Sequence, residues 1–250
     1  MSNDTTRGLG RLGNHIIRNG VCSALAEKYH LAFKYGYAEQ IERLGISLYK
    51  EGTRFYDRGV EICEGNGDFF RYLNHDDLGE NNLIVGDRWL FFQTKEIAHY
   101  LKCHFASDVV KQRIMDHNMH AHRYNNNDDI FVHVRLDDAS ACCPNFEWFD
   151  RVIGSLSFTR GYISSDTITH DTCKRLIAKY NLQEIVKDEV ETIMLASTCK
   201  YVVLSTGTFG WFIGTISWFS HVFYPNLRAL RSHHPVEIYD FSDWNMVDIA

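Results

Sequence analysis

The chain has 250 residues, 45% of them hydrophobic and 14% aromatic, with 3 prolines and a formal net charge of −6. That length and apolar content suit one domain or two small ones with a buried core, and exclude a low-complexity chain. The acidic balance leaves no broad footprint for nucleic acid, although local basic clusters can still hold phosphate.

In chain order, the first feature is RGLGRLGNHIIRNG (residues 7–20), where Gly8, Gly10 and Gly13 fall in the spacing G-x-G-x-x-G. A dinucleotide fingerprint needs a strand before the first glycine and an acidic residue after the next strand. Residues 1–7 do not read as a strand, and LAFKYG (31–36), the next strand expected, ends without Asp or Glu. What remains is a glycine turn entering a helix through Asn14. That helix spans residues 14–29 and lines Ile16, Ile17, Val21, Leu25 and Ala26 along one face. Residues 37–50 read as a helix. Residues 51–82, rich in glycine and aromatics, show no clear pattern and are the expected acceptor side by elimination. NLIVG (82–86) reads as a strand and residues 95–120 as one or two helices. HRYNNNDD (122–129) has no apolar periodicity and reads as a linker.

The second half alternates more cleanly. Strands are expected at 130–136, 158–164, 183–186, 201–205 and 221–225, and helices at 166–180, 188–199 and 208–217. Strands separated by helical segments predict parallel sheets with crossover helices. Two such halves joined near residues 122–129 would leave a cleft between them. No stretch is apolar for long enough to span a bilayer, since residues 208–224 are interrupted by Gly214, Ser217, Ser220 and His221. The opening MSNDTTRG lacks the apolar centre of a secretory signal, so a cytoplasmic protein is expected. The 7 cysteines are irregularly placed with no C-x-x-C pair, which predicts free thiols.

Four segments carry candidate chemistry. The glycine turn before Asn14 lets backbone N–H groups approach an anion or a sugar, or simply starts a helix. In HVRLDD (133–138), His133 and Arg135 share a side of the strand because side chains alternate. A guanidinium at a strand's carboxyl end suits phosphate, and equally suits a neighbouring carboxylate. In YISSD (162–166), Ser165 and Asp166 could accept hydrogen bonds from a base or ribose, or cap a helix. In LSTGTFGWFIG (204–214), hydroxyls and N–H groups gather at a helix N-terminus, an anion site or an ordinary cap over a buried helix. The acidic pairs have no His or Cys set beside them, so no metal site is expected.

Taken in order, GRLGN (10–14), HVRLDD, YISSD and the late CKYVVLS…GTFGWF segment resemble the α-1,2-fucosyltransferases and their α-1,6- and protein-O-fucosyltransferase relatives. The resemblance runs from Gly10 to about Tyr224. It implies an α/β GT-B fold of two Rossmann-like halves, residues 1–125 on the acceptor side and 126–250 holding the nucleotide sugar. It implies inverting transfer from GDP-fucose to a sugar hydroxyl of a glycan, with no metal or other cofactor. Arg135 would hold the diphosphate, and His133 and Asp166 the base. Thr208 and Phe209 would complete the phosphate cradle, and Gly13 and Asn14 would face the cleft. Asp138 occupies the position of the family's aspartate and Asp137 adjoins it; either is a candidate general base. Other donors, UDP-xylose or an activated rhamnose, are compatible with the same fold, as is a non-catalytic glycan- or nucleotide-binding module. A dinucleotide oxidoreductase is a weaker rival. The chain departs from the family pattern at Asp137, where a glycine is usual, and at Gly207, where a serine is usual.

Overall fold

A computed structural model describes residues 3–6, 9–63, 67–85, 91–137, 142–226, 228 and 236–249. The N-terminal part is built around α1 (Leu12–Tyr29), a helix buried on most of its circumference, from Leu12 and Ile16 to Leu25 and Ala26. It ends at His30, whose left-handed backbone (φ 56°) turns its N–H back onto Ala26 and Glu27. Around it lie α2 (Ala38–Arg43), β1 (Gly59–Ile62), α3 (Asp68–Asn74), β2 (Asn82–Val85), α4 (Lys95–Ala106) and α5 (Asp108–His117). β1 and β2 pair in parallel.

Several expectations for this region need correcting. Residues 31–36 do not form a ladder strand. Leu31 and Lys34 make single parallel bridges, to Arg54 and Asp4 respectively. Isolated backbone bonds hold the segment, Lys34 N–H to Asn3 O (2.8 Å), Thr5 N–H to Lys34 O (2.9 Å) and Ala32 N–H to Arg54 O (2.9 Å), and Asn3 Nδ2 adds a bond to Ala32 O (2.9 Å). The polar start of the chain therefore lies in a strand's place before the glycine turn. The helix expected over 37–50 stops at Arg43, because Gly45 adopts φ +82° against the backbone of Arg113 and Ile114. Residues 122–129 are no free linker. Arg123 pairs with the buried Asp129 at 2.8 Å, and Asn127 Nδ2 donates to the carbonyls of Arg123 (2.6 Å) and Thr198 (2.8 Å).

The C-terminal part holds a six-stranded, wholly parallel sheet of β3 (Ile130–Val134), β4 (Gly161–Ser165), β5 (Gln183–Glu184), β6 (Tyr201–Leu204), β7 (His221–Pro225) and β8 (Asn245–Val247). Its spatial order is β5-β4-β3-β6-β7-β8. Counted from β3 as the first strand, this is the doubly wound order 3-2-1-4-5-6. The helices α6 (Phe146–Gly154), α7 (Asp171–Tyr180), α8 (Glu189–Ala196) and α9 (Gly207–Thr215) cover both faces. β3 is buried along its whole length, as a central parallel strand must be. Ile130, Val132 and Val134 pack with Trp148, Phe149 and Val152 of α6, while Phe131 joins α8, α9 and α1 on the other face.

Side chains that accept first-turn N–H groups set several helix starts, among them Asn145 for α6 (3.0 Å) and Asp188 for α8 (2.8 Å). α7 begins at Asp171 and not near residue 166; His170 Nδ1 accepts from Thr172 N–H there. A single apolar cluster runs from α1 and α4 through β6, α9 and β7 to Tyr239 and Trp244, so α1 and α9 join the two parts. All seven cysteines are free. Among the described residues no helix is long and apolar enough to cross a membrane.

Candidate functional site

In an open parallel sheet, ligands settle beyond the carboxyl ends of the strands where the order reverses, because the connections there leave in opposite directions and open a crevice. That point lies here between β3 and β6. The two strand ends are joined beyond the ladder. Ser205 N–H donates to His133 O (3.1 Å), and Ser205 Oγ accepts from Arg135 N–H (2.9 Å). These bonds hold Arg135 at the rim.

β6 passes through Ser205 and Thr206 into α9. Thr206 makes no side-chain cap bond, so the first-turn N–H groups of α9 are not closed off by it. Gly207 has φ +87°, and a Cβ added there would meet nothing within 4 Å. The backbone conformation favours glycine there, and the space above it is open. The buried Tyr239 donates to Gly207 O at 2.5 Å and fixes the turn.

The N-terminal part reaches the same rim through the start of α1. Gly10 turns the chain with φ +100°. Gly13 lies so close to α9 that an added Cβ would sit 2.6 Å from Phe209 N and 2.6 Å from the Thr208 carbonyl carbon. Asn14 Oδ1 accepts from Thr208 Oγ (2.6 Å) and from Gln93 Nε2 (3.0 Å). Gly13, Asn14, Thr208 and Phe209 thus form one contact.

Asp166, just past β4, is the hub of the rim. Its Oδ1 accepts from the N–H groups of Leu136 (2.8 Å) and Asp137 (3.3 Å). Its Oδ2 lies 3.2 Å from Arg135 Nε and 3.5 Å from Arg11 Nη1. The helix-cap role left open for Asp166 is therefore overturned, since its partners are backbone and arginines. Ser165 Oγ accepts from Thr167 N–H (3.0 Å) beside it. Asp137 is exposed and bonds Arg11 at 2.7 Å. Asp138 and Gly8 lie outside the described residues.

His133 points to the α9 face, with its ring 5.5 Å from that of Phe209 and 4% of the residue exposed. Burial, aided by Arg135, pulls its pKa down from the ordinary value to about 4, so the imidazole is neutral at pH 7. A folded-state pKa below the unfolded one means that the unfolded chain takes up the proton first as pH falls. The stability from this group is complete above about pH 6.5 and is lost between there and about pH 4. Denaturant titrations should show its contribution falling by about 2 kcal/mol from about pH 8 to about pH 5. In His133→Phe that part of the pH dependence should vanish; an unchanged profile would rule out His133 as its source.

The fold therefore gathers Gly13, Asn14, His133, Arg135, Asp137, Ser165, Asp166, Thr208 and Phe209 at one rim, from segments as far apart as residues 13 and 209. Arg11 and Tyr239 belong there too and were not singled out in the sequence. A cation between two glycines of the opening turn was the available signal for Arg11, whereas Tyr239 had none. Among the described residues, no group of three or more His, Cys, Asp or Glu is placed to hold a metal ion. A polar depression of about 430 Å³ opens at the opposite, amino end of the sheet, beside Asn126, Lys200 and His221. Asp128 neutralises Lys200 there, which makes it a poor seat for a diphosphate. No family model, no characterised protein and no solved structure matches the chain, and a functional reading rests on the chemistry of this rim.

Proposed function

We propose that the chain is an inverting glycosyltransferase of the GT-B type, taking GDP-fucose as donor and a sugar hydroxyl of a glycan as acceptor. The observation that carries this reading is the convergence of the glycine turn, Arg135, Asp166 and the N-terminus of α9 on the β3–β6 switch point. The order of those motifs supports the fucosyltransferase resemblance. Cleavage of the sugar–phosphate bond builds charge on the departing diphosphate. Arg135 and the first-turn N–H groups of α9 stabilise that charge, each preorganised donor contributing a few kcal/mol. Asp138 is the candidate base toward the acceptor hydroxyl, because the carboxylate of Asp137 is engaged by Arg11.

That engagement also favours a second reading, a nucleotide- or glycan-binding module without turnover. A dinucleotide enzyme is disfavoured. In this strand order its glycine fingerprint belongs in the first strand-to-helix turn, and residues 135–145 contain no glycine.

A thermal-shift panel of GDP, UDP, NAD and the corresponding nucleotide sugars tests the reading. GDP and GDP-fucose at about 100 times Kd should raise Tm by roughly 5 °C. The same shift from UDP compounds would move the donor to UDP-xylose or another UDP sugar. Stabilisation by NAD alone would remove the transferase. Formation of a fucosylated glycan, read by mass spectrometry, separates the enzyme from the module.

A further inference from the structure

Arg11 has no part in the roles given so far. It stands at the N-cap of α1, between the left-handed Gly10 and the buried Leu12, and its half-exposed side chain crosses to the carboxyl rim of the C-terminal sheet. Nη2 is 2.7 Å from Asp137 Oδ2, and Nη1 is 3.5 Å from Asp166 Oδ2. The same Asp166 oxygen is 3.2 Å from Arg135 Nε. Two guanidiniums from opposite parts of the chain therefore reach one oxygen atom, close enough for one diphosphate to bridge both.

Their two carboxylate partners differ. Asp166 is 12% exposed at its side chain, and backbone N–H groups of Leu136 and Asp137 hold it in place. Asp137 is 61% exposed, and among the described residues Arg11 is its only ion-pair partner. An ion pair that open to water contributes little to stability, so Arg11 can exchange it cheaply. Phosphate oxygens offer the guanidinium fork a charge-assisted, two-pronged bond that is stronger than such an exposed pair.

We propose that Arg11 is a second cation for the diphosphate of a nucleotide ligand, and that Asp137 competes with the phosphates for it and lowers their affinity. The inference rests on the reading of the rim as a nucleoside-diphosphate site. It makes affinity adjustable at one exposed carboxylate, with opposite signs for the two members of the pair.

Calorimetric titration of GDP, UDP, pyrophosphate and guanosine into the wild type, Arg11→Ala, Asp137→Asn and the double variant tests it, with Tm as a folding control. Asp137→Asn should bind GDP about fivefold tighter, and Arg11→Ala about tenfold weaker. The double variant should match Arg11→Ala within about twofold, because the carboxylate acts through the guanidinium. Guanosine, which has no phosphates, should not distinguish the variants. Unchanged or weaker GDP binding by Asp137→Asn would overturn the proposal. So would a double variant that regains the full fivefold, which would make Asp137 a diffuse charge and nothing more. A wild type that binds no diphosphate at all would remove the nucleotide reading and this inference together. A wild type that binds, with variants that do not respond, removes the inference alone.

Discussion

If the proposed function holds, Arg135→Ala should lower kcat/KM for transfer from GDP-fucose about a hundredfold to a thousandfold, the loss expected when one donor to a developing oxyanion is removed. Guanosine should bind nearly as before, while GDP should bind more weakly, because in the proposed site the guanidinium serves the phosphates and not the base. Arg135→Lys should fall between, since an ammonium restores the charge without the planar fork. The fold should survive. The Arg135 side chain sits at the rim, and its backbone N–H, which anchors to Ser205, is unaffected by the substitution. Steady-state kinetics with a glycan acceptor, alongside titrations of GDP and guanosine, provide the readout. Native turnover in Arg135→Ala would show that the diphosphate is held elsewhere.

Gly13→Ala is expected to cost about 3 kcal/mol, the upper end of the range for overpacking. Elsewhere a flexible neighbour could yield, but here the added methyl would meet the backbone of Thr208 and Phe209 at 2.6 Å. Relief requires α1 and α9 to separate, which would break the Asn14–Thr208 hydrogen bond and open the shared apolar cluster. The two parts of the site would lose their register, so GDP affinity should fall together with the denaturation midpoint. Gly207→Ala makes a useful contrast: it has open space but a positive φ, so its cost is backbone strain alone. If Gly13→Ala were as stable as the wild type in a denaturant titration, the close approach of the two helices would be wrong.

The parts of the fold legible in the sequence were those where local composition and burial agree. YVVL is a continuous apolar run and IFVHV is one interrupted only by His133, because β3 and β6 are buried on both faces, and α9 is largely apolar for the same reason. The short edge strand β8 was invisible, because NMV in a polar setting carries no alternation to read. LAFKYG has the composition of a strand, yet its backbone bonds are split between residues 3–5 and Arg54 as single bridges, a pattern that no periodicity encodes.

For the site, the resemblance assigned Arg135, Thr208, Phe209 and Asn14 to one cleft, and in the fold Asn14 bonds Thr208 while Gly13 packs on Phe209. The partners of Asp166 were not recognisable. A residue that looks like a helix cap accepts from Leu136, Asp137 and Arg11, the last of them 155 positions away, and forms an ion pair with Arg135. Only the folded chain brings those donors to one carboxylate.

A crystal structure of the protein with GDP bound tests the placement of the ligand most directly. The diphosphate should lie within hydrogen-bond distance of the Arg135 guanidinium and against the first turn of α9 beside Gly207, where the space is open, with the Gly13–Phe209 contact at its edge. GDP seated at the amino end of the sheet beside Asn126 and Lys200, or with its phosphates turned away from Arg135, would contradict the assignment of the β3–β6 rim as the site.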